Sequence, residues 1–359
     1  MFVTLHLMRI FAFLIVCLSL AAYGAQKTSL TPTAVCAAAE APGPTTNILF
    51  QSADGGKTWQ DLSRGLPEKL DVNCVFSQDG EVFLGTNNGS VFHSRDLKKG
   101  IWKQEVVGGA FPDLSDISDG KNMVTGIFPG RSGLYACVYK GGLFRRIPAT
   151  GDWQPIHLPL NENIINTVAE DEQGNIFVGC QNGVFKSGDD GKTWKHVFNE
   201  SWVSELIVVN GILVGSGVQG LLRSTDDGEH WICTLPDKGA VYNTCAIEGR
   251  LPVVRDHFAA VRVAGPAYTS ETGQLRNSVD GGKNWQRMDE GLFPLEGVFD
   301  LKQAGDFLFC THKGGISRSA DWGQTWELVQ SATNLKEPLR FELSTSGKLV
   351  FAAIVWGGC

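Results

Sequence analysis

The sequence predicts an all-β chain folded as a seven-bladed β-propeller of four-stranded blades, closed by strands from both termini. Three observations predict it. The first is a phrase, Ser-x-Asp-x-Gly-x-x-Trp, that occurs five times: Ser52, Asp54, Gly56 and Trp59; Ser187, Asp189, Gly191 and Trp194; Ser224, Asp226, Gly228 and Trp231; Ser278, Asp280, Gly282 and Trp285; Ser319, Asp321, Gly323 and Trp326. A sixth copy, running from Ser94 through Asp96 to Trp102, carries one extra residue, and a seventh position keeps only Gly151, Asp152 and Trp153. A phrase that returns every 37 to 54 residues marks a repeat architecture. The second observation is that two further strand patterns lie between successive copies, making four strands per repeat. The third is that the chain begins on one half of a repeat and ends on the other half.

Residues 1–24 read as a signal peptide. Residues 10–20 form an apolar run of eleven, too short to span a bilayer, behind the positive charge of Arg9. Ala22 and Gly24 place small residues before a cleavage point after Gly24; Met8 is an alternative start. Residues 25–46, rich in Ala, Thr and Pro, have neither helical nor strand periodicity and read as a flexible linker. Residues 47–359 are the propeller. Its first repeat is a lone hairpin over residues 48–62. The second repeat offers strands over 73–77 and 81–86 about the turn at 78–80, the fourth over 166–171 and 175–180 about 172–174, and the seventh over 298–301 and 306–311 about 303–305. The sixth repeat is the longest, and its second strand falls either within 251–258 or within 264–273; the other stretch is an insertion. The chain closes on strands over 340–343 and 348–354, which complete the blade begun by the first hairpin and remove the open sheet edges. Six and eight are the neighbouring blade counts.

The phrase has a physical reading as a hairpin. An apolar pair precedes it, such as Leu49 and Phe50 or Val184 and Phe185. Asp-Gly and Gly-Gly supply the positive φ of a tight turn. The Asp accepts backbone N–H groups left open by the turn, the Ser does the same, and the Trp covers the hairpin while its ring N–H donates. Near-identical aspartates in five repeats are structural, because an active site needs different residues in different roles.

The phrase resembles the Asp-box, or BNR repeat, of sialidases, two-propeller xyloglucanases, the sortilin ectodomain and the photosystem II assembly-factor family. The resemblance covers about residues 47–359. It implies a propeller with the boxes on outer hairpins, away from the central site. Arg145 to Pro148 resembles the Arg-Ile-Pro motif that supplies a substrate-binding arginine in sialidases, but it stands in register with a box and reads as a decayed one.

The formal charge is −7, and loss of Arg9 with the signal peptide makes it −8. An acidic chain without a basic stripe excludes a nucleic-acid partner and a stable hold on anionic membranes. Eight cysteines remain after cleavage, at 36, 74, 137, 180, 233, 245, 310 and 359, with no C-x-x-C. Cys137, Cys180 and Cys310 fall at like places in second strands and read as buried free thiols; Cys36 and Cys359 are a candidate clip between the ends. Residues 215–220 match G-x-G-x-x-G, but strands flank the match on both sides and no helix follows, so it is not a phosphate loop. No cofactor and no metal are expected.

Connections between blades line one face of the ring. Trp202, Arg255, Arg262, Tyr268, His312 and Trp356 are the candidate ligand-binding residues there, beside the connection acids Asp113, Asp116, Asp119, Glu200, Asp237, Asp289, Glu290 and Glu296. The expected function is a secreted or periplasmic, monomeric, non-catalytic binding or assembly scaffold that takes a protein or glycan on the ring face. The alternative is an exported glycoside hydrolase, sialidase-like or xyloglucanase-like.

Overall fold

In each of the five full copies the phrase builds a turn complete in itself. The Ser hydroxyl donates to the first Asp oxygen at 2.8–2.9 Å and accepts the Gly N–H at 2.7–3.0 Å. The same Asp oxygen accepts the N–H of the residue before the Trp at 2.8–2.9 Å. The other oxygen meets that residue's side chain: Thr58, Thr193, His230, Asn284 or Thr325. Side-chain and backbone bonds from the threonines hold Asp54, Asp189 and Asp321 at about 2, below the ordinary carboxylate range. The backbone and ring of His230 do the same for Asp226. At Asp280 slight burial pushes upward, and the bonds from Asn284 still bring it to about 2.

The computed structural model describes residues 47–108, 122–131, 133–156, 160, 162, 164–237, 241–247, 257–264, 275–287, 298–332, 335 and 339–356; the side chains at 241, 243–247, 257–264 and 356 fall outside that description. Strands β1 (Leu49–Ser52) and β2 (Gln60–Asp61) form the first hairpin. Then follow β3 (Val72–Gln78), β4 (Glu81–Thr86), β5 (Ser90–Asp96) and β6 (Ile101–Val106); β7 (Val124–Gly130), β8 (Gly133–Val138), β9 (Gly142–Arg146) and β10 (Trp153–Pro155). Next come β11 (Ile165–Glu170), β12 (Ile176–Cys180), β13 (Gly183–Ser187) and β14 (Lys195–Phe198); β15 (Val203–Val209), β16 (Ile212–Gly217), β17 (Gly220–Ser224) and β18 (Ile232–Pro236). The chain continues with β19 (Val241–Ile247), β20 (His257–Ala264), β21 (Leu275–Ser278) and β22 (Gln286–Arg287), then β23 (Val298–Ala304), β24 (Phe307–His312), β25 (Gly315–Ser319) and β26 (Glu327–Ser331). It ends on β27 (Leu339–Ser346) and β28 (Leu349–Trp356).

These strands form seven four-stranded sheets. Six are meanders of consecutive strands. The remaining sheet has the order β2-β1-β28-β27, with Phe50 opposite Ala352. Numbered by repeat, blade 1 is that mixed sheet and blades 2 to 7 are the meanders from β3–β6 to β23–β26. Innermost strands touch in succession: β27 with β3, β3 with β7, β7 with β11, β11 with β15, β15 with β19, β19 with β23, and β23 with β27. The architecture is an all-β propeller of four-stranded blades.

The cores lie between blades. Phe177 and Phe198 of blade 4 pack with Leu206, Leu213 and Leu222 of blade 5, and Trp231 closes that cluster. Trp59 of blade 1 sits in the same way against Phe309 of blade 7, and Trp285 of blade 6 against Leu221 of blade 5. Gly56 shows why the box needs its glycine: φ is +86°, and a Cβ there would stand 3.0 Å from Phe309 and 3.1 Å from Val329 of the neighbouring blade. The residue just before the box Ser reaches the next blade's box turn. Arg145 pairs with Asp190, Lys186 with Asp227, Arg223 donates to the carbonyl of Gly281, and Arg318 to that of Gly55.

Two stretches depart from expectation. The extra residue in the sixth copy turns Leu97–Lys99 into a 3-10 turn ended by Gly100 at φ 69°. The Asp96 carboxylate therefore pairs with Lys99 at 2.6 Å instead of closing a box, and the Ser94 hydroxyl donates to Ile101 O. Trp102 donates across to Arg64 O at 3.2 Å. In the sixth repeat the second strand is His257–Ala264, bridging the end of one proposed stretch and the start of the other. It pairs with β19 and β21. Residues 215–220 form the β16–β17 hairpin, a strand-to-strand turn.

Candidate functional site

The innermost strands carry a one-residue bulge near their starts in blades 2, 3, 4, 5 and 7, at Asn73, Thr125, Asn166, Ser204 and Phe299. The residue after each bulge lies beside a buried neighbour that faces the sheet core, such as Leu206 or Leu301. At these aligned places the sequence has Cys74, Gly126, Thr167, Glu205 and Asp300, and β27 contributes Glu342 beside buried Leu343. Strand alternation aims this set at the ring axis. There a cavity of about 460 Å³ is lined from β3, β7, β11, β15, β23 and β27.

Most of the polar groups along the axis clasp the next blade. Thr167 Oγ1 accepts Leu206 N–H at 3.2 Å. Asp300 Oδ2 accepts Leu343 N–H at 3.2 Å, while its Oδ1 takes Leu301 N–H and Lys302 Nζ at 2.9 and 2.7 Å. Glu342 Oε1 accepts Val75 N–H at 3.2 Å. The bonds from Leu206, Leu343 and Val75 each tie one innermost strand to the next. Glu205 occupies the same place in blade 5, and among the described residues nothing hydrogen-bonds its carboxyl group. Burial pushes Glu205 up to about 8, Lys302 opposing and Asp300 and Glu342 adding to the push. Burial and Asp300 push Glu342 up to about 7, against the Val75 N–H, Arg340 and Lys302. Glu205 is therefore mostly protonated at neutral pH, and Glu342 is close to half-protonated there. The Arg340 guanidinium lies over the Phe299 ring at 5.2 Å.

Of the residues expected on the ring face, the two with described side chains, Trp202 and His312, do not line this cavity. Trp202 is half-buried just before β15. His312 is committed to its own hairpin: Nδ1 accepts Gly314 N–H at 3.1 Å and Nε2 meets Ser317 Oγ at 2.8 Å. Arg262 lies in β20 opposite Tyr242, and Trp356 ends β28 opposite Leu339, but both side chains lie outside the description. Arg255 and Tyr268 lie outside the described residues. Of the connection acids, Glu200 accepts Gln219 Nε2 at 3.3 Å and Asp237 accepts the Tyr242 hydroxyl at 2.7 Å; Asp113, Asp116, Asp119, Asp289, Glu290 and Glu296 lie outside the description. Glu205, Asp300, Lys302 and Glu342 belong to no motif in the sequence. A usable signal was present: an acid immediately before a core Leu in the first strand of three repeats.

Among the described residues no three His, Cys, Asp or Glu side chains converge as a metal set, and no helix is long and apolar enough to cross a membrane. Cys74, Cys137, Cys180 and Cys310 are buried free thiols, with Cys233 partly exposed.

No protein-family model matches the chain, and no curated protein matches it in sequence. Solved structures do match in fold. The GH74 xyloglucanase of Xanthomonas campestris is similar at a TM-score of 0.57 and 13% identity over 80% of this chain, which spans about half (52%) of that enzyme. YCF48 from Cyanidioschyzon merolae is similar at 0.55 and 10% identity, over 80% of this chain and 97% of that one. A structure of YCF48 bound to D1 peptide is similar at 0.55 and 13% identity, over 79% and 93%. At such identities the likeness is one of fold alone, that of a β-propeller.

Proposed function

We propose that the protein is an exported, non-catalytic binding scaffold that takes its partner on the ring. Residues 1–24 act as a signal peptide, 25–46 as a linker and 47–359 as one seven-bladed propeller closed by strands from both termini; the protein works as a monomer in a secreted or periplasmic setting. The partner is a protein or a glycan on the face bearing Trp202, Arg255, Arg262, Tyr268, His312 and Trp356, and neither nucleic acid nor membrane insertion is involved. The supporting observation is extent: the match runs over nearly all of the two YCF48 chains, one of them bound to a peptide, but over half of the xyloglucanase. The axial groups support the same reading, since Thr167, Asp300 and Glu342 bind backbone of the next blade.

One observation favours the alternative, a glycoside hydrolase. A carboxyl held protonated at neutral pH, as Glu205 is, suits a general acid. A panel of fluorogenic glycosides, sialosides included, decides between the two. No turnover is expected. Sialoside hydrolysis abolished by Arg262→Ala or Tyr268→Phe in a normally folded protein would replace the scaffold reading with a sialidase.

A further inference from the structure

We propose that the axial cavity binds an organic cation, an alkylammonium or guanidinium group of the size borne by lysine, arginine or a polyamine, between Glu205 and Glu342. The inference supplies the ligand chemistry of the ring axis and rests on the binding-scaffold reading.

The charges around the cavity are unevenly matched. The titratable and charged groups facing it are Cys74 on β3, Glu205 on β15, Asp300 and Lys302 on β23, and Arg340 and Glu342 on β27. Each cation has a contact of its own. Lys302 lies 2.7 Å from Asp300, and Arg340 is stacked on Phe299. Glu342 has a single backbone N–H, and Glu205 has no hydrogen-bond partner among the described residues. Lys302 acts on both carboxyls and Arg340 on Glu342 only through space, so each half-buried carboxyl keeps oxygen lone pairs free for a visiting cation, which partial burial makes more attractive than in bulk water. The Cys74 thiol, pushed well up by burial and then by Glu342, brings no charge.

Size and walls select the class of cation. The volume of about 460 Å³ is that of a small-molecule site. A bare metal ion needs converging donors, and none converge among the described residues. Phe76, Phe128, Phe299 and Phe341 line the cavity beside the acids. Aromatic faces attract ammonium and guanidinium groups, and the wall already holds one guanidinium in this way, that of Arg340 on Phe299. Carboxylates with aromatic rings recognise an organic cation; carboxylates alone would not distinguish it from other cations. Binding would ionise Glu205 and Glu342, so it should release protons and strengthen with pH.

Calorimetric titration of the purified protein tests this with two probes, spermidine and the peptide acetyl-Gly-Lys-Gly-amide. Saturable one-to-one binding of at least one probe is expected at pH 8.5. It should weaken about tenfold or more at pH 5.5, and about tenfold or more in Glu205→Gln at pH 8.5. Replacing a half-buried carboxyl that has no hydrogen-bond partner among the described residues by an amide of the same shape should not unfold the ring; Glu342→Gln serves as the second variant and should weaken binding in the same direction. Tighter binding of spermidine points to a free amine as the source, and tighter binding of the peptide to a partner's side chain. No saturation by either probe, or binding unchanged in both variants, overturns the proposal. Neither result bears on the glycoside panel, which tests the scaffold reading separately.

Discussion

Consider the outer hairpins of blades 3 and 4. In blade 4, Ser187, Asp189, Gly191 and Thr193 close their turn with hydrogen bonds that never reach beyond four residues. In blade 3, Arg146 stands where the box Ser would be, and its guanidinium grips Glu105 of blade 2 with two bonds of 2.8 and 2.6 Å. Trp153 donates to the same carboxylate at 3.1 Å. The chain of charges runs on into blade 2. His93 Nε2 lies 2.9 Å from Glu105 but off the line of a hydrogen bond; its Nδ1 lies 2.6 Å from Glu81, which binds Arg95 at 2.7 Å. Burial pushes Glu105 up, yet Arg146 and His93 bring it down to about 2. The Ser and Asp hydrogen bonds of the intact box are local, and losing one of them weakens one turn. The decayed boxes of blades 2 and 3 have handed the task to an interface, so one residue there holds two blades.

Four measurements break or sharpen this contrast. The largest effect is expected from deleting residues 340–359, which removes the β27–β28 pair that completes the mixed sheet. The cooperative thermal transition should vanish; an unchanged melting curve would mean that blade 1 stands without its inner strands. Next is Glu105→Gln, which leaves the guanidinium of Arg146 and its neighbours without their charge partner. Urea unfolding should show a loss of about 3 kcal/mol. Ser187→Ala, which strands the buried Gly191 N–H, should cost about 1–2 kcal/mol. If the Ser187 variant loses as much as the Glu105 variant, the distinction between local box and shared interface fails.

The smallest effect is one of pH. Glu205 and Glu342 have folded values of about 8 and 7, above the ordinary 4.5. Their contribution to stability is complete below about pH 4.5 and is lost as pH rises through 7 and 8. The box aspartates and Glu105, held at about 2, contribute in the opposite sense and lose their share only in strong acid. The melting temperature should therefore fall between pH 5 and 9, and the fall should flatten in the Glu205→Gln, Glu342→Gln double variant. An equally steep fall in that variant would place the titration elsewhere.

The outer hairpins were readable in the sequence because the phrase carries its own hydrogen-bond partners within eight residues. Only the role of Thr58, Thr193, His230, Asn284 and Thr325 escaped notice, because different residue types perform the same bond. Arg145 to Pro148 was readable as a decayed box, but its replacement was not: Arg146 and Glu105 are 41 residues apart. The β20 strand was ambiguous because the long sixth repeat offers apolar residues on both sides of it. The axial acids were the least readable. In a strand with one face buried, a residue aimed at the ring axis alternates like one aimed at solvent, and only the closed arrangement of innermost strands gives Glu205 and Glu342 a shared cavity.

The contact of Arg318 with the carbonyl of Gly55 spans 263 residues of chain. Together with the pairing of β1 on β28, it fixes an order of assembly. The hairpin made first during synthesis is the one whose neighbours are made last, and an isolated two-stranded hairpin is marginal in water. Blades 2 to 7 can each form as they emerge, whereas residues 48–62 must wait for β27 and β28. Synthesis of that last strand pair is thus the event that completes the mixed sheet. A nascent chain stalled short of residue 349 should expose its first hairpin to protease, while the middle repeats are already protected.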